Sequence, residues 1–192
     1  VVAWLPEWMS GITSFLWFLF VIFFGMAVFF SFNLLANFIA APLNGLLAEK
    51  VQLHLTGQDL GAANLGSIVT SIPRSVGREI SKLTYYLPRV LLLLVLTLIP
   101  GLNVVAPWLW ILFSAWMMAI QYVDYSMDNN GVSFQKMKRG LGQQRLLHLG
   151  FGGGVSLLLM LPVVNFFVMP IAVAGATALY VNEHESLNIV EQ

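Results

Sequence analysis

The sequence contains no cysteine. That excludes disulfides, thiolate metal sites and a cysteine nucleophile, and leaves the compartment open. Charge is scarce: 9% of the 192 residues are Asp, Glu, Lys or Arg, against about 25% in soluble domains. Nine basic and nine acidic side chains cancel to zero net charge, which argues against a nucleic-acid partner. No G-x-x-x-x-G-K-[ST] segment occurs. Gly150–Gly154 lacks the lysine and an upstream strand, and reads as a face for close helix packing. There is no His-Glu-x-x-His, His54, His148 and His184 are isolated, and Ser10, Ser14 and Ser114 have no base nearby in sequence. An ATP-driven pump, a metalloprotease and an intramembrane serine hydrolase are thus disfavoured. The residues imply no enzyme, no cofactor and no metal.

What the chain has in excess is apolar residues, 58% of the total. Three uncharged runs, Trp8–Ala48, Val90–Val123 and Leu146–Asn182, each exceed the roughly 20 residues that cross a bilayer. We expect one all-α membrane transport domain over residues 1–192. Every Lys and Arg lies between Lys50 and Arg89 or between Lys136 and Arg145. The positive-inside rule places both stretches in the cytoplasm, in contact with membrane lipid. Trp4 and Trp8 read as an aromatic anchor on the outer face, so the first run enters from outside.

Two proline motifs shape the remaining runs. Ile99-Pro-Gly-Leu-Asn-Val-Val-Ala-Pro107 and Leu161-Pro-Val-Val-Asn-Phe-Phe-Val-Met-Pro170 place Pro100, Asn103, Pro107 and Pro162, Asn165, Pro170 at nearly matching positions. Proline removes a backbone donor and clashes with the preceding turn, so each motif is expected to end one helix and start another. Paired interruptions of this kind point to a substrate path in a transporter. Val90–Val123 starts and ends on one side with about 13 residues per arm, about 20 Å of helix against a hydrocarbon core of about 30 Å. A re-entrant hairpin of half-penetrating helices fits that length; two kinked, tilted pairs that cross completely are the alternative.

The expected order is a long transmembrane helix over 9–55 that continues into the cytoplasm, then a polar connection over 57–71. A basic helix starting at Pro73 leads into the first hairpin (73–123). Asp124–Gly131 is expected as a turn-rich loop. A short interfacial amphipathic helix over 133–147, with Phe134, Met137 and Leu141 on one side, precedes the second hairpin, completing 133–182.

Two polar stripes are candidate functional surfaces. Asn33, Asn37 and Asn44 fall within about 40° on the first helix, either as helix–helix glue or as the lining of a polar path. Arg74, Arg78, Lys82, Tyr85 and Arg89 fall within about 80° on the basic helix. They serve as an orientation signal for anionic headgroups, or as an anion site in which guanidinium forks match tetrahedral oxyanions. A helix start after Pro73 would add its backbone N–H groups. Glu79 and Glu49 are the expected partners of Arg74 and Arg78, and Glu49 is the candidate proton carrier if transport is proton-coupled.

Five segments then carry a family likeness. These are Ala40-Ala-Pro-Leu-Asn-Gly-Leu-Leu-Ala-Glu49, Ile72-Pro-Arg-Ser-Val-Gly-Arg-Glu79, Tyr86-Leu-Pro-Arg89, Leu112-Phe-Ser-Ala-Trp-Met-Met-Ala-Ile-Gln-Tyr122 and Val168-Met-Pro-Ile-Ala-Val-Ala-Gly-Ala-Thr177. In this order they resemble the bacterial CysZ sulfate permeases. The resemblance implies a homo-oligomeric, multi-pass inner-membrane protein that brings sulfate into the cytoplasm for assimilation into cysteine. It implies two long spans and two half-penetrating helix pairs. It also implies a preceding N-terminal segment, with one further span and an adjacent-arginine motif, that these residues do not include. A membrane scaffold that transports nothing, using the same stripes for packing and lipid contact, is the competing class.

Overall fold

The computed structural model describes residues 7–57 and 65–190, without the side chains of 7–10, 33–34, 37–39, 65–71, 166 and 184–190. The helices are α1 Glu7–Thr56, α2 Leu65–Leu98, α3 Ala106–Asn129, α4 Phe134–Gln143, α5 Arg145–Leu159 and α6 Pro162–Val190, with a 3-10 turn at Leu102–Val104. No strand occurs among the described residues. The all-helical expectation therefore holds. Gly11–Phe32, Ile72–Leu98 and Ala106–Asn129 are long and apolar enough to cross a membrane.

The chain divides into two units, Val1–Ala40 and Ala41–Gln192. In the first, no residue of Gly11–Phe32 is buried within the protein, and Phe15, Trp17, Phe24 and Phe29 are all exposed. A helix apolar on every side needs an apolar surrounding, and lipid supplies one. Gly57 at φ 69° ends α1, its N–H bonding the Leu53 carbonyl at 2.9 Å. Of the expected connection over 57–71, residues 58–64 lie outside the described part.

The second unit is organised around α3. Ala119, Ile120 and Val123 of α3 pack in one core with Met137 and Leu141 of α4, Val155 of α5 and Val168, Val173 and Ala176 of α6. The glycine run of α5 is the closest approach. A Cβ added to Gly152 would stand 1.8 Å from the Ala115 carbonyl oxygen, so only glycine permits this backbone contact. Ser126 and Thr177 join α3 to α6 through a buried 2.7 Å hydrogen bond. On α4, Met137 and Leu141 are buried and Phe134 half-buried, while the Ser133 hydroxyl caps the helix by accepting from the Lys136 N–H at 3.4 Å.

Three local expectations need correction. Pro73 does not open α2, which begins at Leu65 and carries both Pro73 and Pro88 inside it. The helix-start contribution at Arg74 is therefore absent. Asp124–Gly131 is mostly not a loop: α3 continues through Asn129, and the turn is made by Asn130 and Gly131, the latter at φ 70°. The two proline motifs also differ. In the first, Gly101 at φ 89° and the 3-10 turn reverse the chain, and Pro107 sits in the first turn of α3. In the second, Met160 and Leu161 already reverse it, and α6 starts at Pro162. Proline at a helix start has a suitable fixed φ and lacks a donor the helix would not use. Asn165 and Pro170 therefore lie within α6. An interior proline costs one backbone bond, a local disturbance that this helix absorbs without ending.

Candidate functional site

Arg74, Arg78 and Lys82 recur every four residues and share one face of α2. Asp124 and Asp128 share a face of α3 by the same spacing. Contacts between the two helices run in reverse register, from Trp110–Thr97 near the turn, through Trp116–Tyr85, to Arg74–Asp128 at the far end. The two charge series consequently meet. Arg74 Nε donates to Asp128 Oδ2 at 3.1 Å, Arg78 Nη2 bonds Asp124 Oδ1, and Arg78 Nε lies 3.4 Å from Asp128 Oδ1. Lys82 Nζ donates to Glu79 Oε1 at 2.6 Å and stands 3.3 Å from Asp124 Oδ2.

Three cations and three carboxylates thus alternate along one interface. Burial grades along it: Lys82, Glu79 and Asp124 are buried, Asp128 is nearly so, and the Arg74 side chain is 52% exposed. Charges so deeply placed persist because each meets an opposite one, as a lone buried ion costs several kcal/mol, on the order of 3–5 when a partner is removed. Aspartates at the end of α3 also oppose its helix dipole, which the guanidinium groups offset. The pairings are unequal. Asp124 is clamped between Arg78 and Lys82, whereas Asp128 meets Arg74 at the rim and faces Arg78 Nε at a distance too long for a good hydrogen bond.

A cavity of about 60 Å³ opens beside this network, with room for a few waters. Ala41, Gly45 and Glu49 of α1 close one side, and Arg74, Arg78 and Asp128 line the other. The end of α1 is held there by amide hydrogen bonds. Asn129 Nδ2 donates to the Gly45 carbonyl at 2.6 Å, and Gln52 and Asn130 exchange side-chain bonds of 3.1 and 2.8 Å.

The sequence candidates therefore separate. Arg74, Arg78, Glu79 and Glu49 do gather at one cavity, but the carboxylates at Arg74 and Arg78 are Asp128 and Asp124, and Glu79 takes Lys82. Arg89 does not join them. It is exposed, its guanidinium stacked 3.5 Å from the Tyr85 ring centre and its Nη1 donating to the Tyr85 carbonyl at 2.7 Å. Asn44 is buried beside Tyr125, while the side chains of Asn33 and Asn37 lie outside the described residues. Pro100, Asn103, Pro107, Pro162, Asn165 and Pro170 are all exposed. His148 is not isolated: it is fully buried, with Nε2 3.2 Å from Glu183 Oε1 on α6. The overlooked residues are Asp124 and Asp128. Their spacing of four mirrors that of Arg74 and Arg78, a signal hidden by reading the segment as a loop.

Comparison with known proteins places the whole arrangement. The family model described as sulfate transporter CysZ/etoposide-induced protein 2.4 matches residues 1–170. The sulfate transporter CysZ of Pseudomonas fluorescens (strain Pf0-1) is 49% identical over 189 residues, 98% of this chain and 76% of the relative. That of Pseudomonas aeruginosa (strain LESB58) is 45% identical over 97% of this chain and 76% of the relative. That of Pectobacterium atrosepticum is 44% identical over 98% of this chain and 69% of the relative. With a family match over residues 1–170 and identity of this order over nearly the whole chain, the chain belongs to the sulfate transporter CysZ/etoposide-induced protein 2.4 family.

Proposed function

We propose that this chain is a sulfate permease of the bacterial inner membrane, moving sulfate into the cytoplasm, where reduction feeds cysteine synthesis. The relatives bear the name of sulfate transporter, and one observation in the structure supports the same chemistry here. Arg74 and Arg78 share Asp128 beside a cavity of about 60 Å³, Arg74 being half exposed. A sulfate oxygen pair is accepted by a guanidinium fork as a carboxylate is. An incoming sulfate can therefore take the place of Asp128 on both arginines, while Asp124 continues to hold Arg78 and Lys82. Exchange of one anion for another avoids leaving buried cations bare at any step, and releasing Asp128 enlarges the cavity for the substrate. Glu79 keeps Lys82 neutralised meanwhile, and Glu49 lies on the opposite wall.

Half-penetrating hairpins remain our reading of the membrane arrangement. Ile72–Leu98 is long enough to cross, but its first half carries the ion network. Continuous exposed apolar surface begins only beyond Arg89, and from there to Pro100 is about 16 Å of chain, half of a hydrocarbon core of about 30 Å. The 15 residues of α5 span about 22 Å. Cysteines introduced at Gly101 or Val164 should resist an impermeant thiol reagent outside intact cells; strong labelling of both would mean complete crossings. Assembly into a homo-oligomer around such hairpins completes the reading.

A second reading has its own support: every cation of the network is matched by a carboxylate, as in a structural lock. A membrane scaffold that carries no substrate would need no more. Sulfate uptake into liposomes containing only the purified chain decides between them. Saturable uptake, lost when Arg74 and Arg78 are both replaced by Ala in a protein that still inserts, supports the permease. No uptake above empty liposomes by a folded, reconstituted chain leaves the scaffold.

A further inference from the structure

A second group of cations lies on the outside of the same helix pair and is arranged differently. Arg89 of α2 and Lys138 of α4 both sit over the Tyr85 ring, at 3.5 and 4.7 Å from its centre, and Lys138 also lies 5.0 Å from that of Phe134. Tyr85 is fixed from behind by Trp116, whose Nε1 donates to the Tyr85 hydroxyl at 3.1 Å, and edge-on by Phe134. Two like charges on one ring repel, and among the described residues neither Arg89 nor Lys138 forms an ion pair. Cation–π contact offsets that repulsion only in part. Arg89 spends one N–H on a backbone carbonyl and keeps the others, and the Lys138 ammonium brings three donors. The two cations border an open groove that Ser81, Thr84 and Ser133 line with hydroxyls, and Arg139 extends it past Trp116.

The surroundings say what anion belongs there. Less than one turn beyond Arg89 on the same side of α2, Leu92 is 60% exposed, and Leu87 and Leu91 around the helix are 53% and 61% exposed. Apolar surface of that extent abutting a groove of cations, hydroxyls and aromatic rings matches an amphiphile with a negatively charged head and an acyl chain. We infer that the Arg89–Tyr85–Lys138 groove binds the phosphodiester of an anionic phospholipid. The phosphate oxygens bridge the guanidinium and the ammonium, the Ser133 hydroxyl, which only accepts within the protein, donates to the same headgroup, and an acyl chain runs along α2 past Leu92. This site is independent of the sulfate reading, since none of its residues lines the Arg74–Asp128 cavity.

The test uses the full chain in nanodiscs made from equal amounts of phosphatidylglycerol and phosphatidylcholine, with the lipids retained on the released protein identified by native mass spectrometry. Each basic side chain near an anionic headgroup contributes about fivefold in binding. Arg89→Gln/Lys138→Gln should therefore lower the preference for phosphatidylglycerol by about twenty- to thirtyfold. Lys136→Gln/Arg145→Gln, which also removes two positive charges but from outside the groove, should leave it within twofold. Equal losses in both variants would show attraction to surface charge alone and overturn the assignment. Displacement of the lipid by millimolar inorganic phosphate or sulfate would overturn it in favour of a free oxyanion. A measurement on the unaltered chain covers the case of a variant that misfolds. Amide exchange around Tyr85–Arg89 and Phe134–Lys138 should slow on adding phosphatidylglycerol but not phosphatidylcholine, and no difference between the two lipids would sink the site.

Discussion

Arg78 and Arg89 stand three helical turns apart on α2, yet they obey opposite rules. Arg78 is largely buried, bonded to one aspartate and beside a second. Arg89 is exposed, lies on an aromatic ring and has no carboxylate within ion-pair distance among the described residues. Both came from one cationic stripe in the sequence. The difference lies in what α3 presents opposite each: Asp124 and Asp128 at the far end, and uncharged Trp116, Phe113 and Trp110 toward the turn. A buried cation must carry its counter-ion with it, whereas an exposed one is left for water or for a ligand.

The comparison can be broken most directly at its buried end. Asp124→Ala takes from largely buried Arg78 its hydrogen-bonded carboxylate and leaves Lys82 to Glu79 alone, and thermal unfolding in detergent should show a loss of about 3–5 kcal/mol. Arg89→Ala should change the same measurement by no more than about 0.5 kcal/mol. Similar shifts for the two variants would mean that Asp124 is not the anchor inferred here. The next effect is on transport. Arg74→Lys/Arg78→Lys keeps the charge and the ion pairs but loses the planar fork, and hydrogen bonds to charged groups contribute about 1.5–3 kcal/mol each. Sulfate affinity should fall roughly ten- to a hundredfold, with membrane insertion normal. Unchanged affinity would reduce the arginines to point charges. The smallest effect sharpens the exchange step: Asp128→Asn removes the competing anion of half-exposed Arg74, where a pair contributes about 1 kcal/mol or less, and leaves Arg78 its bond to Asp124. It should leave stability nearly intact and tighten sulfate binding severalfold in equilibrium titrations. Weaker binding would show that Asp128 helps to hold the substrate.

Much of the fold was legible because lipid simplifies the problem. Long uncharged runs require helices, since backbone groups in hydrocarbon must bond within their own segment. Gly150–Gly154 could be read as a packing face from composition alone, and Gly152 against Ala115 is that contact. The candidate site was legible only in part. Arg74, Arg78, Glu79 and Glu49 were found, but the arginines' partners were misassigned because Asp124 and Asp128 looked like the start of a loop. Asp-Asn-Asn-Gly does carry a turn, yet helix propensity near Asp124 yields to packing: Val123, Tyr125 and Met127 are buried in the core and keep α3 wound to Asn129. Pro73 and Pro170 misled for the same reason. A proline removes one hydrogen bond locally, and neighbouring turns and packed side chains hold the helix through it.

The sequence by itself determined that this is an all-helical membrane protein, where its charges cluster, and which family it joins, because hydrophobic run length, charge placement and motif identity are properties of the chain taken in order. Only the tertiary structure decided which cation meets which carboxylate. Register between α2 and α3 depends on the length of the turn at Gly101–Val105 and on the side chains that fill the space between the two helices. A shift of one helical turn there would leave the composition of both stripes unchanged and part Arg78 from Asp124.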